Sequence, residues 1–398
     1  MLKSENLLEV ALELSKSISA TLRFSSLEKD EADRWIINND DVLQSTEPEN
    51  IEAFIRSILR AHSRIIPTNL SSDLLMAHLN LMAPTLPIDF IPIIGDALAQ
   101  KIPTADLLHK RLSLALELSK KRELVETSEN LAWDIGYDTH IGRRKSWYSQ
   151  TNQDNFFYAV HDQTALFLVA DGISTSTAGS GDIASKVAVH VVNHFWEKHK
   201  TEYETMSQDQ LIRNIYVILE NINYNICETA KQYAPDGIDK EIPMGTTIVL
   251  GVAQGPKVTL ATLGDSRIYA LLESGIAQVT GDQNVRGEKL RHHIPLESER
   301  EGSALLRYLG RFNPDSSESE MLPPDIITFN MLPQEALLFC SDGVTDFISG
   351  DHHSCSQTII EASLAKDPMQ ICWELTRLAN QGGGGDNITS IFARLCLL

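Results

Sequence analysis

The sequence predicts an α+β fold preceded by an all-α domain, and three observations support this. Up to about residue 130, apolar side chains recur at helical spacing. Beyond it, short apolar runs bounded by turn residues recur, which is typical of strands. A single block of two helical stripes interrupts these runs, and strands grouped in this way favour largely antiparallel sheets. We therefore expect a helical domain at 1–130 and an α+β domain at 131–398.

The N-terminal domain is expected to be a bundle of about five helices without strands. Its apolar stripes follow the spacing of an amphipathic helix, as in Leu7, Ala11, Leu14 and Ile18. Four helices can be placed individually: one through 7–18, one through 51–59 with Asn50 as its N-cap, one from Ser71 or Ser72 to Met82, and one from Ala105 to about Glu126.

The segment Pro87–Asp96 has two prolines in an apolar run, which predicts a kinked helix or a hairpin between two helices. We expect it to pack within its own domain. The alternative is a surface that binds a partner or a membrane.

The second domain is predicted to contain nine strands and one helical block. The strands are expected at 156–160, 165–170, 246–253, 257–263, 267–272, 276–280, 325–330, 336–341 and 388–395. The two helices fall between the second and third strands, and their stripes run from Ile183 to Phe195 and from Leu211 to Ile226.

Five aspartates stand at the ends of apolar runs or in glycine-rich turns of this domain. They are Asp154, Asp171, Asp265, Asp342 and Asp386. One such aspartate is ordinary turn chemistry, but five in one domain would repel one another unless cations held them together. Hard oxygen ligands without a matching His/Cys set suit Mg²⁺ or Mn²⁺ better than zinc.

The order of these motifs resembles the metal-dependent phosphatases of the protein phosphatase 2C (PPM) family, over roughly residues 135–397. The motifs that carry the resemblance are Asn152-Gln153-Asp154, Asp171-Gly172, Gly245-Thr246-Thr247, Gly264-Asp265-Ser266-Arg267, Thr280-Gly281-Asp282, Ser341-Asp342-Gly343 and Gly385-Asp386-Asn387-Ile388-Thr389. The resemblance implies two antiparallel sheets sandwiched between helical pairs, with metal ions in a cleft at one end.

The resemblance also implies site roles for two or three Mg²⁺ or Mn²⁺ ions. Asp171 would bridge two ions and Gly172 would supply a backbone carbonyl. Asp342 and Asp386 would complete the first ion's shell, and Asp154 would hold its waters. Asp265, with Asp342 nearby, would form a third, weaker site.

Neighbouring residues are expected to support this site. Asn387 can orient the Asp386 turn, which the glycines at 382–385 allow to be tight. Arg267 is expected to pair with carboxylates, Asp282 to be structural, and Gly245-Thr246-Thr247 to begin a strand.

The sequence departs from the family pattern in four places. Gln153 replaces a glutamate, which removes a negative charge near the second metal. No histidine follows Asp171-Gly172, where Ser174 and Thr175 stand instead, and Gln283 replaces a second histidine.

The fourth departure concerns the family's phosphate-binding arginine, which precedes the first aspartate by a few residues. The spacing is stretched here, so that Arg143, Arg144 and Lys145 all compete for this role. We favour Arg144.

Composition restricts the partners and the location. The net charge of −20 argues against nucleic-acid and anionic-membrane surfaces, which rely on excess basic charge. The five scattered cysteines indicate reduced thiols, and neither a signal peptide nor a membrane-spanning run is evident. We expect a cytoplasmic protein.

Two functions of different classes remain open. The first is an Mg²⁺- or Mn²⁺-dependent phosphatase of phosphoserine and phosphothreonine in proteins, regulated or targeted by the N-terminal domain, which could also bind a partner protein. The second is a catalytically weak or inactive phosphoprotein-binding module. Retention of all five aspartates favours the enzyme, because binding alone has no need of a costly anionic cluster. A small-molecule phosphatase is a third reading.

Overall fold

The computed structural model describes residues 4–18, 22–29, 35–44, 46–62, 85–125, 131–292, 294, 299–348, 352–364 and 366–398. The chain divides into two compact units. The first is Met1–Leu124 with Leu272–Ala277, and the second is Val125–Leu271 with Gln278–Leu398. This division lies close to the predicted boundary at 130, but the sequence did not predict that 272–277 would join the first unit.

The first unit is mainly helical, as expected, but it also contains a pair of strands. Its elements are α1 (Ser4–Ser15), β1 (Leu22–Lys29), β2 (Trp35–Gln44), α2 (Glu47–His62), a 3₁₀ turn (Ile88–Phe90), α3 (Ile91–Leu98) and α4 (Ala105–Leu124). Strands β1 and β2 pair antiparallel with two register irregularities. The all-α prediction was wrong on this point, because bulges and polar residues leave these strands no clear two-residue period.

A buried asparagine joins this hairpin to α2. Helix α2 begins at Glu47, so Asn50 lies inside the helix and is not its N-cap as predicted. Its side-chain oxygen accepts a hydrogen bond from the backbone N–H of Phe24 at 2.8 Å. The Phe24 ring packs edge-on against Phe54, with 6.1 Å between ring centroids.

The Pro87–Asp96 segment forms the 3₁₀ turn and most of α3, in agreement with the predicted kinked helix. Ile88, Phe90, Ile93 and Ile94 are buried within the first unit. Packing in its own unit is therefore confirmed. The helix predicted from Ser71 or Ser72 to Met82 lies outside the described residues.

The first unit contains a buried ion pair between Arg122 and Asp89. The Arg122 guanidinium donates two hydrogen bonds to the Asp89 carboxylate, both at 2.8 Å. Asp89 is fully buried and Arg122 is 5% exposed. The Ser274 hydroxyl, in the segment 272–277, donates a third bond to Asp89 at 2.8 Å. This carboxylate thus joins two chain segments that are distant in sequence.

The chain from residue 131 onward contains two five-stranded antiparallel sheets, and its short strand Gly275–Gln278 falls mostly in the segment 272–277 that belongs to the first unit. Its elements are β3 (Leu131–His140), a 3₁₀ turn (Lys145–Trp147), β4 (Asp154–His161), β5 (Thr164–Asp171), α5 (Gly181–Tyr203), α6 (Gln208–Gln232), a 3₁₀ turn (Ile238–Lys240), β6 (Ile248–Gln254), β7 (Lys257–Leu263), β8 (Arg267–Leu272), β9 (Gly275–Gln278), α7 (Val285–Arg291), α8 (Glu299–Gly302), β10 (Asp325–Asn330), β11 (Ala336–Cys340), α9 (Asp342–Ile348), α10 (His352–Ser363), α11 (Pro368–Gln381) and β12 (Ile388–Leu397). The strand orders are β10-β7-β6-β5-β4 and β3-β12-β11-β8-β9.

The two sheets stack face to face between helical layers. Phe167 of the first sheet packs against Trp133 and Phe339 of the second, with centroids 5.3 and 5.4 Å away. Apolar faces of α5 and α6 form one core with the first sheet. Helices α9 and α11 pack on the second sheet. This is the sandwich that the resemblance implied.

All nine predicted strands are present, and a tenth, β3, was missed. Strand β3 pairs along its whole length with β12 at the edge of its sheet. Its side chains are mostly half-buried, and its sequence carries no continuous apolar run.

All five cysteines lie in the described part of the chain and are free thiols, as expected. Among the described residues, no helix is both long and apolar enough to cross a membrane.

Candidate active site

The first two aspartates face each other across one strand pair. Asp154 begins β4 and Asp171 ends β5, and the antiparallel register places them directly opposite. The Asp171 backbone carbonyl accepts hydrogen bonds from the Thr247 N–H and the Thr246 hydroxyl, both at 2.8 Å. The Gly245-Thr246-Thr247 motif therefore fixes the backbone at the end of β5.

Gly172 lies where two backbones meet. A Cβ atom at this position would stand 2.2 Å from the carbonyl oxygen of Gly181, the first residue of α5. No other residue type could occupy position 172 without moving α5. The Gly172 N–H donates to the Gln153 carbonyl at 3.2 Å, which ties this turn to the start of β4.

Two further aspartates come from the second sheet. Asp342 begins α9 just after β11, and Asp386 ends the glycine-rich turn before β12. Because β11 and β12 are antiparallel neighbours, these two ends lie side by side. Ser341, between β11 and Asp342, donates its hydroxyl to Asp154 Oδ2 at 2.7 Å. This bond links the aspartates of the two sheets.

The strand register and the Ser341 bond bring these carboxylates together, and their charges act on one another. Burial, and then the charges of Asp154, Asp342, Asp386 and Asp265, raise the pKa of Asp171 well above its usual value. Burial, and then the charges of Asp265, Asp346, Asp386 and Asp154, likewise raise the pKa of Asp342 well above its usual value. Each group therefore lies close enough to its neighbours to oppose their ionisation.

The surroundings of Asp154 shift its pKa in opposite directions. Burial raises its pKa, and hydrogen bonds from Ser341 and Thr389 lower it, while the charge of Asp386 raises it again. The net result is a pKa of about 6. In the absence of a cation this carboxyl would be partly protonated near neutral pH.

The donor set fits a hard divalent cation. Asp154 Oδ1 and Asp342 Oδ1 are buried and accept no hydrogen bond from the described part of the chain. A buried carboxylate oxygen without a donor is costly, and a cation is one way to satisfy it. No three His, Cys, Asp or Glu side chains within the described ranges are already arranged to hold a metal ion together. Mutual repulsion between the carboxylates opposes such a preformed shell.

Lys145 is the ammonium group that lies within this cluster, among the residues that the structure describes. Its ammonium donates to Asp386 Oδ1 and, at 2.9 Å, to Asn387 Oδ1. Burial alone would lower its pKa, but the charge and hydrogen bond of Asp386, helped by Asp171 and Asp154, raise it. The predicted Arg144 is exposed, as is Arg143. The geometry thus favours Lys145 among the three competing residues.

The fifth aspartate, Asp265, has polar neighbours of its own. Asp265 is 7% exposed and accepts a hydrogen bond from Asn284 at 2.9 Å. Burial and the charge of Asp282 raise its pKa, Asn284 and Arg267 lower it, and Asp346 raises it again, to about 7. Arg267 makes two hydrogen bonds to Asp282, at 2.9 and 2.6 Å, in line with its expected structural role.

Asp346 was missed by sequence reasoning, although a signal was available. It follows Asp342 by four residues on α9, and this spacing places both on one face of the helix. Its carboxylate lies 3.8 Å from Arg267.

One departure from the family pattern, Gln283, acquires a structural explanation, and the motif residue Asn387 has a structural role as well. Gln283 is buried. Its side-chain oxygen accepts a hydrogen bond from the Gly264 N–H at 2.9 Å, and its side-chain nitrogen donates one to the Asp325 carboxylate at 2.7 Å. Gln283 therefore supports the turn before Asp265. Asn387 is 1% exposed and accepts a bond from the Gln153 N–H at 2.9 Å, besides that from Lys145. Ser174 and Thr175 are exposed beside Gly172.

The fold and the aspartates at its strand ends place the second unit in one class of proteins, the protein phosphatase 2C-like sandwiches. The sequence profile of that family, described as protein phosphatase 2C, matches residues 141–370, which is more than half of the chain. The chain therefore belongs to the protein phosphatase 2C family.

Relatives and solved structures agree with this family. The serine/threonine phosphatase stp of Listeria innocua is 27% identical over 252 residues, which cover 62% of this chain and 91% of that protein. Protein phosphatase PhpP of Streptococcus pneumoniae is 27% identical over 259 residues, 64% and 95% of the two chains.

Among solved structures, the serine/threonine phosphatase of S. agalactiae superposes with a TM-score of 0.54 at 24% identity, over 67% of this chain and 100% of that one. The catalytic domain of PstP, in complex with two manganese ions, gives a TM-score of 0.52 at 22% identity, over 67% and 99%. At these identities the likeness shows the fold.

Proposed function

We propose that this chain hydrolyses phosphoserine and phosphothreonine esters in proteins, using water as the nucleophile and Mg²⁺ or Mn²⁺ as the cofactor. The observation that carries the proposal is the carboxylate cluster, in which Asp154 Oδ1 and Asp342 Oδ1 are buried and unsatisfied. The family membership and the names of the relatives, which are serine/threonine phosphatases, support the reaction class. The two manganese ions of the PstP complex support the cofactor.

The residues proposed to hold two ions are Asp154, Asp171, Gly172 through its carbonyl, Asp342 and Asp386. Bound divalent ions supply positive charge for the phosphate oxygens and lower the pKa of water. Asp265, with Asp342, is proposed to hold a third ion more weakly. Its separate hydrogen bond to Asn284 is consistent with this secondary role.

The chain's own residues then orient and neutralise the substrate. We assign phosphate binding to Lys145, whose raised pKa keeps the ammonium charged at neutral pH. Ser341 holds one oxygen of Asp154, which leaves the other free for a cation. The threonines at 246 and 247 hold the backbone of Asp171. Exposed Ser174 and Thr175, or a water beside them, would assist the leaving group in place of the family's histidine.

Asp171→Asn and Asp342→Asn test the proposal, because each removes a charge and keeps the side-chain shape. Each should lower kcat/KM for a phosphothreonine peptide with saturating Mn²⁺ by at least about 100-fold, since one metal contributes several kcal/mol. Calorimetric titration should also show weaker Mn²⁺ binding.

Asp162→Asn is the matched control, because Asp162 is exposed in the turn of the same β4–β5 hairpin. It should bind Mn²⁺ and turn over substrate like the unchanged protein. Comparable turnover by all three variants would contradict the assignment. Full Mn²⁺ binding by the unchanged protein without any turnover would instead support the second candidate, a phosphoprotein-binding module.

We further propose that the first unit regulates or targets this activity, either directly or by binding a partner protein. The support for this is its separate, well-packed core. The cytoplasmic location expected from composition stays a prediction.

A further inference from the structure

The stretched segment between β3 and β4 forms a loop beside the candidate active site, held by several hydrogen bonds. We define the entrance loop as residues 143–148. Its backbone is held by the glycine-rich turn that ends at Asp386. The N–H groups of Arg144 and Lys145 donate to the Gly384 carbonyl at 2.8 and 3.1 Å. The Tyr148 hydroxyl donates to the Gly385 carbonyl at 3.1 Å.

The start of the entrance loop is fixed as well. The Arg143 N–H donates to the Asn380 side-chain oxygen at 2.6 Å. Gly142 precedes it with a φ of +87°, and a Cβ there would stand 2.1 Å from the Asp386 carbonyl oxygen. The loop therefore has a defined conformation, and it carries Lys145 into the carboxylate cluster.

The other long side chains of the entrance loop face solvent. Trp147 is 76% exposed and Tyr148 is 71% exposed, and both arginines are exposed. Within the described part of the chain, neither Arg143 nor Arg144 makes an ion pair or a side-chain hydrogen bond. An exposed tryptophan beside two unpaired guanidinium groups is the composition of a binding surface.

Position and charge indicate what this surface binds. Arg144 precedes Lys145 directly, so their Cα atoms are about 3.8 Å apart. If Lys145 takes the substrate phosphate, the arginines stand where residues flanking the phosphorylated side chain would pass. Two unpaired positive charges in a chain of net charge −20 favour carboxylates at that place.

We propose that the entrance loop selects phosphoprotein segments with acidic residues next to the phosphorylated serine or threonine, an inference that rests on the proposed function. Arg143 and Arg144 pair with the substrate's Asp or Glu side chains, and Trp147 packs against the substrate chain. The occupant is thus an extended, acidic phosphopeptide segment.

The test compares two phosphothreonine peptides of equal length, one with glutamates flanking the phosphothreonine and one with glutamines. The full-length protein with Mn²⁺ should have the higher kcat/KM for the glutamate peptide, and the preference should shrink as salt is added. The double variant Arg143→Gln/Arg144→Gln should lose most of the preference, a change of roughly tenfold or less for two exposed ion pairs. Trp147→Ala should lower kcat/KM for both peptides while it keeps their ratio.

Arg213→Gln, which removes an exposed guanidinium on α6, is the matched control and should keep the preference. An equal kcat/KM for the two peptides, or a preference that survives in the double arginine variant, would overturn the inference. Turnover of para-nitrophenyl phosphate by the same unchanged protein reports on the proposed function separately. If that turnover is absent, the proposed function fails. If it is present without any peptide preference, only the inference fails.

Discussion

Lys145 carries the one ammonium group that lies inside the carboxylate cluster among the described residues. Its two acceptors, Asp386 and Asn387, belong to the turn before β12. A buried lysine is costly unless its charge is balanced, and here three aspartates raise its pKa. The same charge that balances Asp386 could neutralise a phosphate oxygen, because an ammonium is a compact point charge with three donors.

Removing the charge at position 145 should therefore damage activity more than removing it at position 144. We expect Lys145→Met to lower kcat/KM for para-nitrophenyl phosphate by about 100-fold, the loss typical of one transition-state donor. Inorganic phosphate should inhibit this variant less. Lys145→Arg, which keeps the charge, should retain more activity.

Arg144→Met is the companion variant and should change kcat/KM for this small substrate by only a few-fold, since its side chain makes no ion pair within the described residues. A larger loss in Arg144→Met than in Lys145→Met would restore Arg144 as the phosphate ligand.

At the scale of elements, strand ends and turns bring charged groups together in both units. In the second unit, the ends of β5 and β11 and the turn before β12 supply the aspartates. In the first unit, the 3₁₀ turn and α4 supply the buried pair of Asp89 and Arg122. A buried ion pair adds little to the free energy of unfolding compared with an apolar pair of similar size. Removing one partner, however, leaves an unbalanced buried charge and lowers that free energy strongly.

Asp89→Asn should therefore destabilise the first unit by about 3–5 kcal/mol, because the Arg122 guanidinium would lose the charge that balances it in a buried position. Calorimetry should show a lower unfolding temperature. Asp106→Asn, which breaks the exposed pair with Lys110 on α4, is the matched control and should cost less than about 1 kcal/mol. Equal small effects of the two substitutions would show that the buried pair is not needed for stability.

At the scale of the whole molecule, the two units differ in their proposed tasks. The second contains the complete carboxylate cluster, whereas the first contributes an independent core. If the first unit regulates the second, removing residues 1–124 should alter kcat or KM for para-nitrophenyl phosphate, while calorimetric Mn²⁺ affinity should stay nearly unchanged.

Circular dichroism of the shortened chain should first establish that the sheets remain folded, because 272–277 belongs to the first unit. Identical kinetics with and without residues 1–124 would argue against regulation. The first unit would then be a targeting or partner-binding module.

The local sequence determined the strands and the positions of the aspartates. Apolar runs with turn residues at their ends located nine strands, because a strand buried on both faces is recognisable from a few consecutive residues. The same turns located Asp171, Asp342 and Asp386, since each directly follows a strand or a glycine run. The family resemblance then placed these strands in the correct sandwich.

Only the tertiary structure distinguishes Lys145 from Arg144 as the proposed phosphate ligand, because Lys145 contacts Asp386, a partner 241 residues away in sequence. The same holds for β3, which is defined by its pairing with β12, and for the hairpin of β1 and β2, which is defined by packing on α2. Local sequence records backbone preference and the period of apolar residues. It does not record which distant carboxylate, strand or helix a side chain will meet, and those contacts provide the free energy that selects one arrangement among several.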